Sequence, residues 1–113
     1  MALALNVFQT VTSVLSTSPT SVYTAPVGYT GVILLAQVAN IGSNSQDVSV
    51  SHQRSVAGIA VTTEILKSYP VSANDAVSLF SGKLILESGD RLVLSGSSAT
   101  DLKFIASILE TLN

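Results

Sequence analysis

The sequence contains no cysteine and no tryptophan, and it is poor in charge. Without cysteine it can form neither a disulfide, a thiolate zinc site nor a cysteine nucleophile. Charged residues make up 11% of its 113 residues, whereas about 25% is usual in a soluble domain. Its five basic residues are scattered, so they form no stripe that could neutralise nucleic-acid phosphates. We therefore predict a single domain that does not bind nucleic acid.

The first 46 residues carry no charged side chain at all, since Asp47 is the first that ionises. No purely apolar run is longer than the five residues 32–36, although a spanning helix needs about 20. The start of the chain also has no basic region and no continuous apolar stretch of the kind found in secretory signals. We therefore expect neither a membrane partner nor a signal peptide.

Hydroxyl groups replace the missing charges, because the chain has 18 serines and 10 threonines. Burying a hydroxyl costs much less free energy than burying an ion. Such a surface can be covered by other protein, so we expect a homo-oligomer, for example a trimer, that makes contacts through its uncharged start. The candidate interface residues there are Leu3, Leu5, Val7, Phe8 and Val11.

Short apolar segments rich in Val, Ile and Leu recur about every ten residues between turn-forming residues, which is the spacing of an all-β domain. Residues 31–40 are apolar on both faces and predict a central strand that is covered on both sides. Residues 83–87 and 91–95 predict a tight hairpin with Gly89 at positive φ. The pattern as a whole predicts a single antiparallel two-sheet β-sandwich, jelly-roll-like, with about eight strands.

The two ends of the chain leave alternatives open. Residues 1–20 predict an N-terminal arm or edge strand, and residues 21–113 predict the sandwich; we expect deletion of residues 1–18 to abolish assembly without unfolding the sandwich. The strand pattern lapses at residues 54–58 and resumes at residues 59–66. Residues 102–109 fit a strand, although Leu102, Ile105, Ala106 and Leu109 would also share one face of a helix.

His52 is the only histidine, and it lies close in sequence to Asp47, Ser49 and Ser51. These residue types can form a catalytic triad. On a strand, however, both serines project to the face opposite His52, and Asp47 lies about 16 Å from it. The sequence therefore predicts a packed or edge histidine, and a protein that is not an enzyme.

Metal, cofactor and sugar sites are poorly supported by the sequence. Glu87 and Asp90 could share a cation, but a solvated turn in which the aspartate caps backbone N–H groups explains them better. No metal-ligand spacing and no phosphate-binding glycine loop occurs, so we expect no cofactor and no metal. A carbohydrate- or receptor-binding module remains an alternative and requires an exposed aromatic patch, for which Tyr29 and Tyr69 are candidates.

Two motifs carry a family resemblance. The first is a Tyr-Thr-x-Pro-x-Gly turn before a long strand that ends in Asn, and the second is a later Gly-Lys-Leu-x-Leu-Glu-x-Gly-Asp segment. Through them, residues 21–110 resemble the small β-sandwich virion structural proteins of tailed bacteriophages. The matching residues are Tyr23, Thr24, Pro26, Gly28 and Asn40, followed by Gly82, Lys83, Leu84, Leu86, Glu87, Gly89 and Asp90.

The resemblance implies a structural subunit located in the virion. Its favoured form is a capsid decoration or cement subunit that contacts copies of itself and other virion proteins, such as the major capsid protein. A protein associated with the tail, the neck or a fibre is the alternative within the same class.

Overall fold

The protein is described over residues 5–113 by a computed structural model. This part of the chain forms nine strands and contains no helix that is long and apolar enough to cross a membrane. The strands are β1 (Asn6–Val14), β2 (Thr20–Thr24), β3 (Tyr29–Asn40), β4 (Gln46–Val56), β5 (Ile59–Val71), β6 (Asp75–Ser78), β7 (Leu84–Leu86), β8 (Arg91–Gly96) and β9 (Leu102–Leu112).

The strands form two antiparallel sheets. The first has the order β1-β9-β3-β6, with β7 also paired to β3, and the second has the order β2-β8-β4-β5. The chain passes repeatedly from one sheet to the other, and this strand order is that of a jelly roll, the double-sheet arrangement built from two Greek keys. The predicted all-β, two-sheet sandwich is therefore confirmed.

Alternation along β9 shows how the core forms. Leu102, Phe104, Ala106 and Ile108 are buried between the sheets, while Ile105 on the other parity is 41% exposed. A period of two places apolar residues on one face of a strand, and β9 pairs with both β1 and β3 over almost its whole length. The strand alternative for this segment is therefore confirmed, and the helical alternative is wrong.

The central position predicted for β3 is also confirmed, because it pairs with β9 on one side and with β6 and β7 on the other. The prediction that both of its faces are covered is wrong. Ile33 and Val38 are fully buried on the inner face, but Leu35 on the outer face is 47% exposed. Strand β3 is therefore apolar on both faces, but only its inner face packs in the core, and the apolar residues of its outer face point away from it.

Residues 87–90 form a turn between sheets and not a hairpin within one sheet. The backbone N–H of Asp90 donates to the carbonyl of Glu87, and Gly89 has the predicted positive φ of 85°. The strands on either side do not pair with each other, since β7 pairs with β3 and β8 pairs with β2 and β4. Leu86 and Leu92 are both fully buried on the inner faces of opposite sheets, so the turn has to cross the edge of the sandwich.

The β4–β5 hairpin is longer than the sequence pattern predicts. The predicted lapse at residues 54–58 is wrong for residues 54–56, because β4 continues to Val56 and pairs there with Ile59, and is confirmed for residues 57–58, which form the loop. The two-residue loop consists of Ala57 (φ 52°) and Gly58 (φ 81°), as in a type I′ turn. Strand β8 pairs with β4 only as far as Gln53. The end of the hairpin therefore projects beyond the sheet, and its residues need not alternate between buried and exposed positions.

Ala57 offers a stabilising substitution at this turn. Ala57→Asn is expected to raise the free energy of unfolding by about 0.5–1 kcal/mol, because asparagine tolerates the left-handed conformation better than alanine. Urea unfolding measures the change, and Ala60→Asn in the adjacent strand is the control that should bring no gain. Equal effects of the two substitutions would contradict the assigned turn.

Candidate functional site

The outer face of the first sheet is apolar. We call this surface the apolar face and define it by outward side chains on β1, β3, β7 and β9: Phe8, Val14, Val32, Leu35, Ile85, Ile105 and Leu109. Phe8, Leu109, Val32 and Ile85 lie opposite one another and form one row across these strands. Phe8 is 74% exposed and Ile85 is 59% exposed. A contiguous exposed patch of this kind is typical of a protein contact surface.

Very little charge accompanies these side chains. Lys103 is the only charged residue at the outward strand positions of the first sheet in the described part of the chain. A depression of about 580 Å³ lies beside it and is lined by Val14, Ala39 and Ile105, among others. The remaining outward positions are mostly hydroxyl residues such as Thr10. A partner could therefore cover this surface without removing more than one ion from water.

The outer face of the second sheet has the opposite character. Its outward positions on β4, β5 and β8 include Ser49, Ser51, Thr62 and Ser95, and Glu64 and Lys67 form an exposed ion pair at 4.0 Å. Hydroxyls and charges here are well solvated and need no partner. The two outer faces of the sandwich thus differ in polarity, and the apolar face is the stronger candidate for a contact.

The predicted interface residues fall on different sides of β1. Phe8 points outward and belongs to the apolar face, and Leu5 is 70% exposed just before the strand. Val7 and Val11 are half-buried on the inner side, where Val11 packs against the core. Leu3 lies outside the described residues. Strict alternation along the segment separates Phe8 from Val7 and Val11, and it could have been applied to the sequence.

His52 takes part in an ion-pair network that sequence analysis missed. Its Nε2 lies 3.0 Å from Oδ2 of Asp90, whose side chain is 6% exposed, and Nη2 of Arg54 donates to the same oxygen at 2.8 Å. Arg54 also donates to Glu87 at 2.9 Å, and the backbone N–H of Glu87 donates to Asp90 at 3.0 Å. The cation that Glu87 and Asp90 share is therefore the guanidinium of Arg54.

Electrostatics within this network favour the ionised aspartate. Burial by itself raises the pKa of Asp90, but the hydrogen bonds from Arg54, His52 and the Glu87 amide outweigh it and hold the pKa below its ordinary value. Hydrogen bonds to the carboxylates of Asp90 and Glu87 raise the pKa of Arg54. Ser49 and Ser51 point to the opposite face of β4, as the strand pattern predicts. The network joins β4 to the turn at residues 87–90 and offers no nucleophile.

A second buried carboxylate, Glu110 on β9, contacts residues of β1 and β2. It accepts hydrogen bonds from the hydroxyl of Tyr23 at 2.6 Å and from the amide of Gln9. Burial, followed by the neighbouring Glu110, raises the pKa of Tyr23 well above its usual range. A Cβ at Gly31 would lie 2.8 Å from the tyrosine oxygen, so any other residue there would force the Tyr23 side chain to move. In residues 5–113 no group of three or more potential metal-binding side chains occurs.

Comparison with known proteins gives a likeness to a solved structure. No protein-family model matches the chain, and no curated protein matches it. Among solved structures, it is similar to a chain from the acidic stable capsid structure of Helicobacter pylori bacteriophage KHP30, with a TM-score of 0.54 and 11% identity. The match covers 96% of this chain and 89% of that chain. At this identity the likeness shows a shared fold and no more.

Proposed function

We propose that this chain is a non-enzymatic structural protein of a tailed-phage virion, and specifically a capsid decoration or cement subunit. The apolar face is the observation that carries the proposal, because a sheet face with Phe8 and Ile85 so exposed requires another protein to cover it. Jelly rolls are a common architecture of viral capsid proteins. The likeness to a chain in a phage capsid structure supports the same setting.

In this proposal the apolar face lies on the capsid shell, against a weakly charged surface of the major capsid protein, and the hydroxyl-rich face of the second sheet points to solvent. Covering a large apolar side chain such as Phe8 or Ile85 contributes about 1.5–3 kcal/mol. The desolvation cost is low, because Lys103 is the one charged residue that the contact would remove from water in the described part of this face. Repetition of such a contact over a lattice converts a modest affinity per copy into stable attachment.

The titratable residues support a structural role and not a catalytic one. His52 and Arg54 hold Asp90, and the buried Glu110 accepts from Tyr23 and Gln9. Each of these groups connects strands from different parts of the chain. They contribute to a rigid scaffold, which a subunit that braces a shell needs.

Aromatic side chains favour the virion role over a sugar-binding module. Tyr69 is 45% exposed on β5 in the second sheet, whereas Phe8 is on β1 in the first. Tyr29 is half-buried on β3. Sugar-binding faces present aromatic rings together, whereas the exposed rings of Tyr69 and Phe8 lie in different sheets. Placement in the tail, the neck or a fibre would use the same apolar face and is an outcome of the first test.

The first test is a cryo-electron microscopy map of virions purified from the phage that encodes the chain, with mass spectrometry of their proteins. We expect the chain in the particle, with sandwich-shaped density repeated over the capsid lattice. Density confined to the tail would reject the capsid placement, and absence of the chain from purified particles would reject the virion role.

Ile85→Lys is expected to weaken binding to capsid shells assembled without the chain by at least about tenfold, because the ammonium loses its hydration at a dry contact. Co-sedimentation with the shells measures the binding. Ala60→Lys is the matched control, since it adds the same charge to the outer side of β5. Equal binding by both variants would show that the apolar face does not contact the shell.

A further inference from the structure

The edge strands of the two sheets differ in how well they are protected against pairing with another chain. In the second sheet, edge strand β5 carries Glu64, Lys67 and Pro70 and has irregular register with β4, while β2 is only five residues long and contains a register shift. In the first sheet, β6 and β7 share one edge and are four and three residues long. Charges, proline, irregular register and shortness are the features that prevent edge strands from pairing with other chains.

Strand β1 has none of these protections. It is nine residues long, pairs with β9 in continuous register from Asn6 to Val14, and contains neither a charged residue nor a proline. Within the described part of the chain, no strand lies on its other side. Alternate residues of an edge strand direct their N–H and C=O groups away from the sheet. This edge is therefore a template for one further antiparallel strand.

The side chains of β1 match the same strand of a second molecule. When two copies run antiparallel about a two-fold axis at Val11, Phe8 lies opposite the partner's Val14 and Thr10 lies opposite the partner's Thr12. Aromatic with β-branched pairs and threonine with threonine pairs are both favourable across strands. On the inner side, Val11 meets its own copy. No charges oppose each other anywhere along the pairing, because the strand has none.

Neighbouring registers are less favourable. An axis at Thr10 would place Phe8 opposite the partner's Thr12 and Val14 opposite the partner's Asn6, so that each apolar residue faces a polar one. An axis perpendicular to the sheet keeps both outer faces on the same side. The apolar faces of the two copies then become one continuous surface, joined at Phe8 and Val14.

We propose that two copies of this chain dimerise by antiparallel pairing of β1 about a two-fold axis at Val11, which joins their first sheets into one. The inference deepens the proposed function by naming a contact between copies, and it rests on that function for its setting in the virion. The occupant is a second copy because the register is self-complementary. A strand of another virion protein would leave the isolated chain monomeric.

The test uses engineered disulfides in the full chain, which contains no other thiol. Phe8→Cys and Val14→Cys are both on the exposed side of β1 and should tolerate substitution. Paired residues of antiparallel strands have Cα atoms about 4.5–5.5 Å apart, within the range that a disulfide spans. We expect a mixture of the two variants to cross-link at least about tenfold faster than either variant alone. Val14→Cys mixed with Ala60→Cys is the control for random collision.

Sedimentation equilibrium of the unmodified chain provides the second measurement, with a dimer expected. A chain that stays monomeric at all concentrations, or a Phe8→Cys variant that cross-links to itself as fast as the mixture does, would overturn the proposal. A cross-linked dimer that fails to bind shells would reject the proposed function and leave the dimer intact. Binding to shells by a strictly monomeric chain would reject the dimer and leave the proposed function intact.

Discussion

Replacement of Asp90 by alanine is expected to lower the free energy of unfolding by about 1–3 kcal/mol, the usual cost of leaving hydrogen-bond donors without their buried acceptor. Asp90 is 4% exposed and accepts from Arg54, His52 and the amide of Glu87. Without the carboxylate, Arg54 loses its shorter ionic contact and the turn at residues 87–90 loses its cap. Urea unfolding followed by circular dichroism measures the loss.

The control for this prediction is Glu87→Ala. Glu87 also pairs with Arg54, but its side chain is 72% exposed, and a solvent-exposed ion pair contributes at most about 1 kcal/mol. Equal losses for Asp90→Ala and Glu87→Ala would show that burial does not decide the strength of the network.

The same residue predicts a pH dependence. Because the pKa of Asp90 in the folded protein is below its ordinary value of 3.8, the unfolded chain takes up the proton first as the pH falls. The stability that Asp90 contributes is therefore complete above its unfolded pKa and is lost as the pH falls through its folded pKa. Melting temperatures measured from pH 6 downward, to about one unit below the unfolded pKa, should fall less steeply for Asp90→Asn than for the unmodified chain. Parallel curves would contradict the assignment.

Removal of residues 1–18 is expected to prevent stable folding, in contrast to the expectation from the sequence that this segment is detachable. The deletion takes away β1 and also Leu15, which is 1% exposed in the core and whose N–H donates to the carbonyl of Leu102 at 3.0 Å. Loss of one buried leucine side chain costs about 2–5 kcal/mol, a large share of the ~5–15 kcal/mol that stabilises a typical domain. Thermal unfolding followed by circular dichroism tests the truncated chain.

Point substitutions separate the contribution of the core from that of strand pairing. Leu15→Ala should cost about 2–5 kcal/mol, whereas Val14→Ala, at a side chain that is 48% exposed on the outer face, should cost less than about 1 kcal/mol. A truncated chain that melts cooperatively at the original temperature would contradict the prediction and favour a detachable arm.

Local pattern was sufficient for much of the fold. The period of two in the sequence predicts strands β4 and β9, which the structure contains. The positive φ of Gly89 follows from its place in a turn. The pattern failed where a residue has a partner distant in the sequence. Arg54 interrupts the apolar alternation of β4, yet the strand continues past it, paired with β5 beyond the end of β8, and its guanidinium meets Asp90, 36 residues away.

The candidate surface was predicted only in part. Phe8 was identified as an interface residue, and the structure places it on the outer face of the first sheet. Ile85 and Leu109 were missed, because each was assigned to an ordinary strand and nothing in its own segment says which strand lies beside it. The row that contains all three forms only when β7 pairs with β3 and β9 pairs with both β3 and β1.

The sequence by itself determined the composition of the surface and the β class of the fold. Few charges, many hydroxyls and a period of two are properties of the residues and of their nearest neighbours, and they do not depend on how the strands are ordered. The tertiary structure alone decided that the uncharged β1 is an edge, that apolar residues of separate strands meet on one outer face, and that His52 and Arg54 meet Asp90. Strand pairing is responsible, because it joins residues far apart in the chain, and local sequence does not specify which pairs form.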